Sequence, residues 1–463
     1  MSIFAAVLLS KTFMTEQKIP ISLGTEKVSK LLMQYAIPSI IAMTASSLYN
    51  MVDSIFIGQG VGAMAISGIA LTFPLMNLAG AFGSLVGVGA ATLVSVKLGQ
   101  KDYDTARRVL GNVVDLNVGL GLLLTVVALT FLDPILYFFG ASENTIPYAR
   151  DYMQIILSGN VITHLYFGMN ALLRASGHPR QSMYATIATV IVNTILDPIF
   201  IFGFDMGIRG AAVATVIAQS MSLMWQIKLF SNKNELLHFS KGIFKLKKKI
   251  VFDSLSIGMA PFLMNLAACL VTILINKALM RTGGDYAIGA YGVVNRLIFV
   301  SIMVVIGLNQ GMQPIAGYNY GAKLYPRVIG VLKLTIFWAT VVTTTAFALG
   351  MLVPDVLVGI FTTDEELIRI SVKALRILVI FFPVVGFQIV TTNFFQSIGM
   401  AKKAIFLSLT RQLLFLLPCI LILPEIFGEN GVWYSMPTSD FISTVVAAVM
   451  FWLQYRKFQQ IAE

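Results

Sequence analysis

Long apolar runs separated by short polar connections dominate this 463-residue chain. A hydrocarbon core about 30 Å thick needs roughly 20 apolar residues in helical conformation to cross it. Twelve runs are long enough, and none shows the ten-residue alternation of a membrane β-barrel. The pattern therefore predicts an all-α polytopic membrane protein with twelve transmembrane helices. We number the predicted spans 1 to 12 in chain order; they cover residues 33–57, 66–97, 107–132, 148–173, 180–203, 209–231, 252–280, 287–317, 328–353, 367–397, 403–424 and 430–455.

The composition agrees with a membrane protein. The chain is 57% hydrophobic and 12% charged, with a mean hydropathy of +0.81, whereas soluble domains carry about 25% charged residues. The first residues, MSIFAAVLLSK, hold a short apolar run with no positive residue before it and no small-residue cleavage pattern after it. We therefore expect no signal peptide. Residues 1–13 are instead interpreted as a leader, with Met14 as an alternative functional start.

The connections between spans alternate in the sign of their charge. The net charge is +11, but short cytoplasmic loops of membrane proteins are enriched in Lys and Arg, so the excess indicates orientation and not a nucleic-acid partner. Because the even-numbered connections are basic, we expect both termini in the cytoplasm. The expected location is the plasma membrane, which is the inner membrane of a bacterium. The basic residues are Lys97, Lys101, Arg107, Arg108, Arg174, Arg180, Lys241, Lys245, Lys247, Lys248, Lys249, Lys323, Arg327, Lys402, Lys403, Arg456 and Lys457. The acidic residues of the odd-numbered connections are Asp133, Glu143, Asp205, Asp285, Asp355, Asp364, Glu365, Glu366, Glu425 and Glu429.

The two halves of the sequence align at a constant shift of 222 residues. A constant shift across Gly, Lys and Tyr in equivalent loops rarely arises by chance, and it indicates an internal duplication. The matched pairs are Gly99 and Gly321, Lys101 and Lys323, Tyr103 and Tyr325, and Gly177 and Gly399. The predicted domains are an N-terminal cytoplasmic segment (1–32), an N-terminal six-helix bundle (33–232), a basic cytoplasmic linker (233–249), a C-terminal six-helix bundle (250–457) and a cytoplasmic tail (458–463).

An even number of spans in each half fixes the relation between the halves. Both enter the membrane in the same orientation, so we expect a pseudo-twofold axis along the membrane normal. Two such bundles around a cavity favour an alternating-access transporter. A pore is the weaker interpretation because the sequence has no filter-like loop and no repeated ring of charges.

Two acidic residues inside spans of the first half lack counterparts in the second. Asp53 of span 1 aligns with Ile275, and Asp197 of span 5 aligns with Cys419. An ionisable residue at mid-depth costs roughly 3 kcal/mol or more, which makes it a functional candidate. We expect the two carboxylates to converge and to accept a proton or share a small cation. The alternative is that Asp197 caps backbone groups freed by Pro198.

The remaining intramembrane charges favour structural roles. Asp115 lies near the basic end of span 3, where we expect it to pair with Arg107 or Arg108. Arg411 and Asp440 could form a pair inside the second bundle, and the sequence leaves this open. The two cysteines and three scattered histidines have neither disulfide nor metal-ligand spacing. This argues against a metal-dependent membrane enzyme.

Three segments carry a resemblance to a known family. They are MVDSIFIGQGVGAMAISGIALTFP in span 1 and its loop, ALLRASGHPRQSM after span 4, and VNTILDPIFIFGFDMGIRGAAVAT across spans 5 and 6. Together they resemble the signatures of the MATE (multidrug and toxic compound extrusion) family, and the resemblance extends over residues 33–457. It implies an exporter of amphipathic, often cationic drugs, driven by inward movement of sodium or protons, with no cofactor.

One branch of that family keeps its coupling site in the N-terminal half, and this sequence is similar to it. The resemblance implies a cation-coupling site of Asp53, Asp197, Asn193, Asn170, Thr215 and Tyr152, with Na⁺ as a candidate ligand of Asp53, Asp197, Asn193 and Thr215. Carboxylate, amide and hydroxyl oxygens suit a hard cation independently of the family. Another branch has acidic residues on spans 7 and 10. Span 7 here has none, and span 10 has Gln388 and Asn393, so a site in the second half is not expected.

Polar residues at mid-span are candidates for a substrate cavity. They are Asn295, Arg296, Gln310, Gln313 and Gln388. The leading hypothesis is an ion-coupled multidrug exporter that acts as a monomer on small amphipathic compounds in contact with membrane lipid, with the choice between H⁺ and Na⁺ open. A flippase for lipids or lipid-linked sugars is the second hypothesis. A channel or a membrane enzyme is the third, disfavoured because the acids are asymmetric and no catalytic cluster is present.

Overall fold

The computed structural model describes residues 22–61 and 63–462. The predicted leader and the alternative start at Met14 lie outside these residues. Every regular element of the described chain is a helix, which confirms the all-α fold class. We label the membrane helices α1 to α12 after the predicted spans. Their bounds are Val28–Gly60 (α1), Ala63–Gly99 (α2), Tyr103–Thr130 (α3), Ile146–Ser158 with Asn160–Ala175 (α4), Pro179–Pro198 with Ile199–Gly203 (α5), Ile208–Phe230 (α6), 248–283 (α7), 285–321 (α8), Tyr325–Leu352 (α9), Glu365–Val379 with Phe382–Ser397 (α10), Ala401–Leu409 with Thr410–Leu416 and Leu417–Phe427 (α11), and Glu429–Ala462 (α12).

Several membrane helices are broken or bent. In the described chain, nine helices are long and apolar enough to cross a bilayer, and two bent pairs, α4 and α10, raise this number to 11. Each bent pair turns by 55°. The longest helix, Lys248–Gly321, runs 74 residues and contains a non-helical residue, Gly284, with φ 65° and ψ −156°. Because this backbone conformation suits glycine alone, Gly284 separates α7 from α8, and the twelve predicted spans are all present.

The backbone repeats its special conformations at the 222-residue shift. Lys101 and Lys323 both have φ 60°, a left-handed conformation that is uncommon for a residue with a side chain. Gly177 and Gly399, which are also equivalent positions, both have a positive φ, 96° and 76°. Equivalent loops therefore fold in the same way in both halves.

Packing between the halves obeys the same symmetry. Gly89 of α2 packs against the backbone of Gly258 of α7, and Gly311 of α8 packs against Ala36 of α1. The two contacts are equivalent, because Gly89 aligns with Gly311 and Ala36 aligns with Gly258 at the 222-residue shift. Gly99 and Gly321, which are equivalent residues, both lie where α2 and α8 meet, each against the backbone of the opposite helix. Contacts of this kind are expected around a twofold axis that relates the bundles.

The described segments outside the bundles are attached to them by hydrogen bonds. Helix Ser22–Thr25 packs on the second half, where Asn319 Nδ2 donates to the Leu23 carbonyl oxygen at 2.9 Å. The linker between α6 and α7 is held by Asn112 of α3, whose Oδ1 accepts from the Lys247 amide at 2.9 Å. Helix α1 begins at Val28 and α12 continues to Ala462, beyond the predicted bundle limits at 33 and 457.

The structure decides both predicted ion pairs. Arg411 Nε lies 2.6 Å from Asp440 Oδ1, so this pair is confirmed. The predicted pairing of Asp115 with Arg107 or Arg108 is wrong: Asp115 forms no salt bridge with a described residue, and its Oδ2 has no hydrogen-bond partner. Two helical turns, about 11 Å, separate these positions, and Arg107 Nε donates to the Leu236 carbonyl oxygen.

Candidate functional site

The site is built on the last two turns of α5 before its backbone changes to a π-helix. Asn193 and Asp197 lie one turn apart, and their side chains are 1% and 0% exposed. Asn193 Nδ2 donates to Asp197 Oδ1 at 3.2 Å. Pro198 follows, and the chain then continues as the π-helix Ile199–Gly203. Since Asp197 accepts from a side chain, the structure gives no support to the alternative that it caps backbone freed by Pro198.

Helices α1 and α6 extend this hydrogen-bond network. Asn193 Nδ2 also donates to Thr215 Oγ1 at 3.3 Å, and the Tyr49 hydroxyl lies 3.1 Å from the same oxygen. Thr215 Oγ1 donates its single proton to the Ala211 carbonyl oxygen at 3.1 Å. The Tyr49 hydroxyl must therefore be the donor to Thr215. The network joins one side chain from α1, one from α6 and two from α5.

Asp53 lies one turn beyond Tyr49 on α1 and belongs to the same group. It is 8% exposed, and it lies within electrostatic range of Asp197. Tyr152 of α4, which is 2% exposed, lies within electrostatic range of both carboxylates and of Tyr49. Among the described residues, no basic side chain forms a salt bridge with either carboxylate. Two acids are therefore buried together without a protein cation.

Three buried oxygen atoms of this group have no hydrogen-bond partner among the residues that the structure describes. They are Asp53 Oδ1, Asn193 Oδ1 and Asp197 Oδ2. An unpartnered buried acceptor costs about 1–3 kcal/mol, and more when it is charged, so three together are not expected of a purely structural cluster. Carboxylate, amide and hydroxyl oxygens are the ligands that hard cations prefer. Protons on the carboxylates would relieve the same cost, so the chemistry suits either H⁺ or Na⁺.

An apolar shell encloses the site near the acidic face of the molecule. Ile57 of α1, Met153 and Leu157 of α4, and Ile208 and Ala211 of α6 belong to one buried cluster. Such a shell excludes water and strengthens electrostatic interactions inside it. Few water molecules therefore compete with the oxygen atoms of the site as ligands of an ion.

The structure does not bring Asn170 to this group. Its Nδ2 donates to Thr186 Oγ1 at 3.0 Å, and its Oδ1 accepts from Ser182 Oγ at 2.5 Å. Thr186 lies seven residues before Asn193 on α5, about 10 Å along the helix. Both polar ends of the Asn170 amide are thus occupied at a different level of the membrane.

The predicted cavity residues fall in three environments. Gln313 Nε2 donates to Thr92 Oγ1 at 2.8 Å, so Gln313 closes the contact between α8 and α2 in this structure and does not face an open cavity. Gln388 is likewise buried. Gln310 Nε2 lies 3.4 Å from Met43 Sδ, in the contact between α8 and α1. Asn295 and Arg296 of α8 are exposed.

Tyr49 is the residue that the sequence reasoning missed. A signal was present, because Tyr49 and Asp53 are four residues apart, the same spacing as Asn193 and Asp197. Tyrosines are common near the ends of membrane helices, and this one did not stand out from the other aromatic residues of α1 and its neighbours.

Comparison with known families supports the duplication. The MatE family model matches this chain twice, over residues 38–199 and 261–421. The starts of the two matched segments differ by 223 residues and their ends by 222, which agrees with the shift found in the sequence and in the backbone. The two matches together cover well over half of the chain.

Known proteins similar to this chain cover nearly its whole length. The multidrug export protein MepA of Staphylococcus haemolyticus is 29% identical over 420 residues, which are 91% of this chain and 92% of MepA. A solved structure of the MATE multidrug transporter DinF-BH is 37% identical, with a TM-score of 0.88 over 94% of this chain and 98% of that one. A crystal structure of MATE in the bent conformation, 22% identical with a TM-score of 0.91 over 97% of this chain and 100% of that one, supports the fold.

The two matched segments and the similarity to DinF-BH agree with the duplicated fold of twelve helices. Members of this family are transporters and not enzymes. On these grounds, the chain belongs to the MATE family of multidrug and toxic compound extrusion transporters.

Proposed function

We propose that this chain is a multidrug exporter of the plasma membrane, in which inward movement of H⁺ or Na⁺ through the site of Asp53 and Asp197 drives the export of amphipathic compounds. The observation that carries the proposal is the set of three buried, unpartnered oxygens on Asp53, Asn193 and Asp197. Thr215 accepts a hydrogen bond from Asn193, and Tyr49 in turn contacts Thr215. The relatives named multidrug exporters supply the cargo class.

The coupling mechanism follows from charge and packing. Without an ion, two carboxylates in an apolar shell repel each other and keep α1 and α5 apart. A bound cation, or one or two protons, removes this repulsion and allows the two helices to approach. A drug and an ion that favour different arrangements of the first bundle would then compete, and each would promote release of the other.

The contacts between the bundles support an outward-facing state. The close approaches at Gly89, Gly99 and Gly321 lie toward the basic ends of α2 and α8. If the basic face is cytoplasmic, as the positive-inside rule favours, the pathway is closed on the cytoplasmic side. Both termini are then cytoplasmic, as are the N-terminal segment 1–32, the linker 233–249 and the tail 458–463. Each twelve-helix chain holds a whole ion site, so the monomer is the functional unit.

A flippase for anionic lipid-linked cargo is not favoured. Such cargo would require a strongly cationic cavity, whereas export of amphipathic cationic drugs requires no cationic cavity. Arg411 is neutralised by Asp440 at 2.6 Å, which leaves Arg296 as the other candidate that the sequence offered. The relatives are also named for multidrug export.

Transport in proteoliposomes tests the proposal. The purified chain is reconstituted, a sodium or a proton gradient is imposed, and export of a fluorescent cationic dye is followed. We expect Asp197→Asn and Asp53→Asn to abolish gradient-driven export, because each removes one ionisable ligand. Asp205→Asn is the matched control, since it makes the same chemical change at an exposed position, and it should transport at the wild-type rate.

The two gradients also identify the ion. Export under one gradient alone assigns that ion, and export under both assigns a site that accepts either. Dye export at the wild-type rate by Asp197→Asn would show that the coupling site lies elsewhere. Absence of dye export under both gradients by the wild-type chain would contradict the multidrug function itself.

A further inference from the structure

A groove lies on the basic face, the side of the molecule that carries the Lys- and Arg-rich even-numbered connections. It is separate from the proposed ion site. It has a volume of about 740 Å³ and lies between the first turns of α7 and α11. Its walls are apolar, with Val251, Leu255 and Met259 from α7 and Ile405 from α11. Its size is within the range of small-molecule and cofactor sites, about 300–1,000 Å³. We call it the α7–α11 groove.

Two lysines line this groove, and both are exposed. Lys248 is the first residue of α7 and Lys402 the second residue of α11. Neither side chain forms a hydrogen bond or an ion pair with any residue that the structure describes. Each helix also begins without a side-chain cap, so unpaired amide groups add positive partial charge at the same place. The groove thus combines an apolar wall with cationic groups that lack a protein anion.

Large apolar side chains beside the lysines remain exposed. Phe252 is 68% exposed and Leu246 is 57% exposed, and both line the groove. An alternation of Lys with exposed Phe and Leu is typical of segments that lie at a membrane interface. Basic pockets between membrane helices at that depth bind anionic lipid head groups.

The duplicated scaffold does not require this arrangement. At the 222-residue shift, Lys248 aligns with Glu26 and Phe252 aligns with Lys30. In the first half, Glu26 Oε2 and Lys30 Nζ are paired with each other at 3.1 Å. Lys402 aligns with Arg180. The first half thus keeps a cation at one of the two lysine positions, has an acid at the other, and has Lys30 in place of the apolar Phe252. The combination of two free lysines and apolar walls belongs to the second half alone.

We propose that the α7–α11 groove binds one acidic phospholipid from the leaflet on the basic face. The phosphate contacts Lys248 and Lys402 at the helix starts, and one acyl chain lies along Val251, Leu255 and Met259. A phospholipid fits because it carries an anion and a long apolar chain in one molecule, which matches charge to the lysines and hydrocarbon to the wall. The proposal goes beyond drug export and does not depend on it, because lipid binding can be measured without transport.

Native mass spectrometry of the delipidated, detergent-solubilised full chain tests the proposal. The probes are phosphatidylglycerol and the zwitterionic phosphatidylcholine. We expect one tightly bound phosphatidylglycerol and no comparable phosphatidylcholine adduct. A lysine near an anionic surface contributes roughly a factor of five to binding, so Lys248→Gln with Lys402→Gln should weaken the phosphatidylglycerol adduct by about 30-fold.

The matched control removes the same charge elsewhere on the basic face. Arg180→Gln with Lys233→Gln changes two exposed residues and should leave the adduct unchanged. An equal loss in this control would overturn the proposal in favour of non-specific attraction by net charge. Wild-type binding by the double lysine variant would overturn it directly.

A second variant tests the wall of the groove. Ser256→Trp places a large side chain at a lining position and should reduce phosphatidylglycerol binding while both lysines remain. Inorganic phosphate should not displace the lipid at equal concentration, because it lacks the acyl chain. Displacement by phosphate alone would overturn the proposal, because it would show that the lysines bind free phosphate. Full phosphatidylglycerol binding by Ser256→Trp would also overturn it, because the acyl chain would then lie outside the groove.

Discussion

At the scale of single residues, the orientation of the oxygens distinguishes an ion site from a buried acidic pair. Asn193 must direct Nδ2 toward Asp197 for its Oδ1 to remain available, and two hydrogen bonds from Nδ2 enforce this. Thr215 can accept from Asn193 because its own proton is used on Ala211. The position of Thr215 is in turn stabilised by the hydroxyl of Tyr49. Tyr49 would thus affect the strength of ion binding at the proposed site without contacting the ion itself.

The first prediction concerns Tyr49. In Tyr49→Phe the ring remains and the hydrogen bond to Thr215 is lost, at a cost of about 1 kcal/mol. We expect the ion concentration for half-maximal dye export to rise about fivefold, with the maximal rate retained. Tyr184→Phe, at a position 53% exposed on α5, is the control. An unchanged half-maximal concentration for both H⁺ and Na⁺ would exclude Tyr49 from the site.

The second prediction concerns Arg411 and Asp440. Removal of one partner leaves the other charge in a largely buried position, which costs roughly 3 kcal/mol. We therefore expect Arg411→Met and Asp440→Leu each to lower the free energy of unfolding by about this amount, measured by titration with SDS in mixed micelles. The double variant should recover most of the loss, because no unpaired charge remains. Additive losses in the double variant would mean that the two side chains do not depend on each other.

Part of the site could be predicted from the sequence, for a physical reason. Charged side chains are so unfavourable in hydrocarbon that Asp53 and Asp197 stood out individually, and the repeat showed that the scaffold does not need them. The position of Asn170 could not be obtained in this way. Asparagine is neutral, and which of several nearby hydroxyls it contacts depends on the rotation of α4 against α5.

At the scale of helices, α2 and α7 are in close backbone contact, which closes the basic face in the proposed outward-facing state. Gly89 lies against the carbonyl group of Ser254 and the amide of Gly258, with no room for a Cβ atom. Small residues at such contacts allow membrane helices to approach until their backbones touch. The closure can therefore be altered by one methyl-bearing side chain.

The third prediction uses this contact. Gly89→Val overpacks it, and overpacking costs about 1–3 kcal/mol, so the closed state should become about five- to 150-fold less populated. Spin labels at the equivalent positions 101 and 323 should then report longer distances, and dye export should fall. Gly119→Val on α3, where a Cβ would meet no atom within 4 Å, is the control. Unchanged distances for Gly89→Val would show that this contact does not keep the basic face closed.

Hydropathy located all twelve spans but not their bends. The runs for spans 7 and 8 are separated by a short polar segment, yet the chain continues as one 74-residue helix broken at Gly284. The 55° bend of α10 lies between Val379 and Phe382, where the sequence is still apolar. Hydropathy reports where a segment prefers lipid, whereas bends depend on backbone packing between helices.

At the scale of the whole molecule, a nearly symmetric frame carries asymmetric chemistry. Loops and bundle contacts repeat at 222 residues, so the frame can open and close around a common axis. Asp53 and Asp197 lie in the first half, and the two free lysines of the α7–α11 groove lie in the second. In the two proposals, the ion therefore binds in one bundle and the acidic phospholipid in the other.

The last prediction concerns the orientation of the molecule. Basic residues cluster in the even-numbered connections and acidic residues in the odd-numbered ones, and Lys- and Arg-rich short loops remain in the cytoplasm. Cys269 and Cys419 are replaced by Ala, and one cysteine is introduced at each of four exposed positions, Lys101, Lys241, Asn144 and Glu365. A membrane-impermeant maleimide should label Asn144→Cys and Glu365→Cys in intact cells. It should label Lys101→Cys and Lys241→Cys only after the membrane is permeabilised.

The four positions test the two bundles separately, because Asn144 belongs to the first half and Glu365 to the second. Labelling of both in intact cells requires that the halves enter the membrane in the same direction, as a pseudo-twofold axis along the membrane normal demands. Labelling of only one of them would mean inverted halves. Labelling at Lys101→Cys in intact cells would place the closed face outside, and the proposed outward-facing state would then be inward-facing.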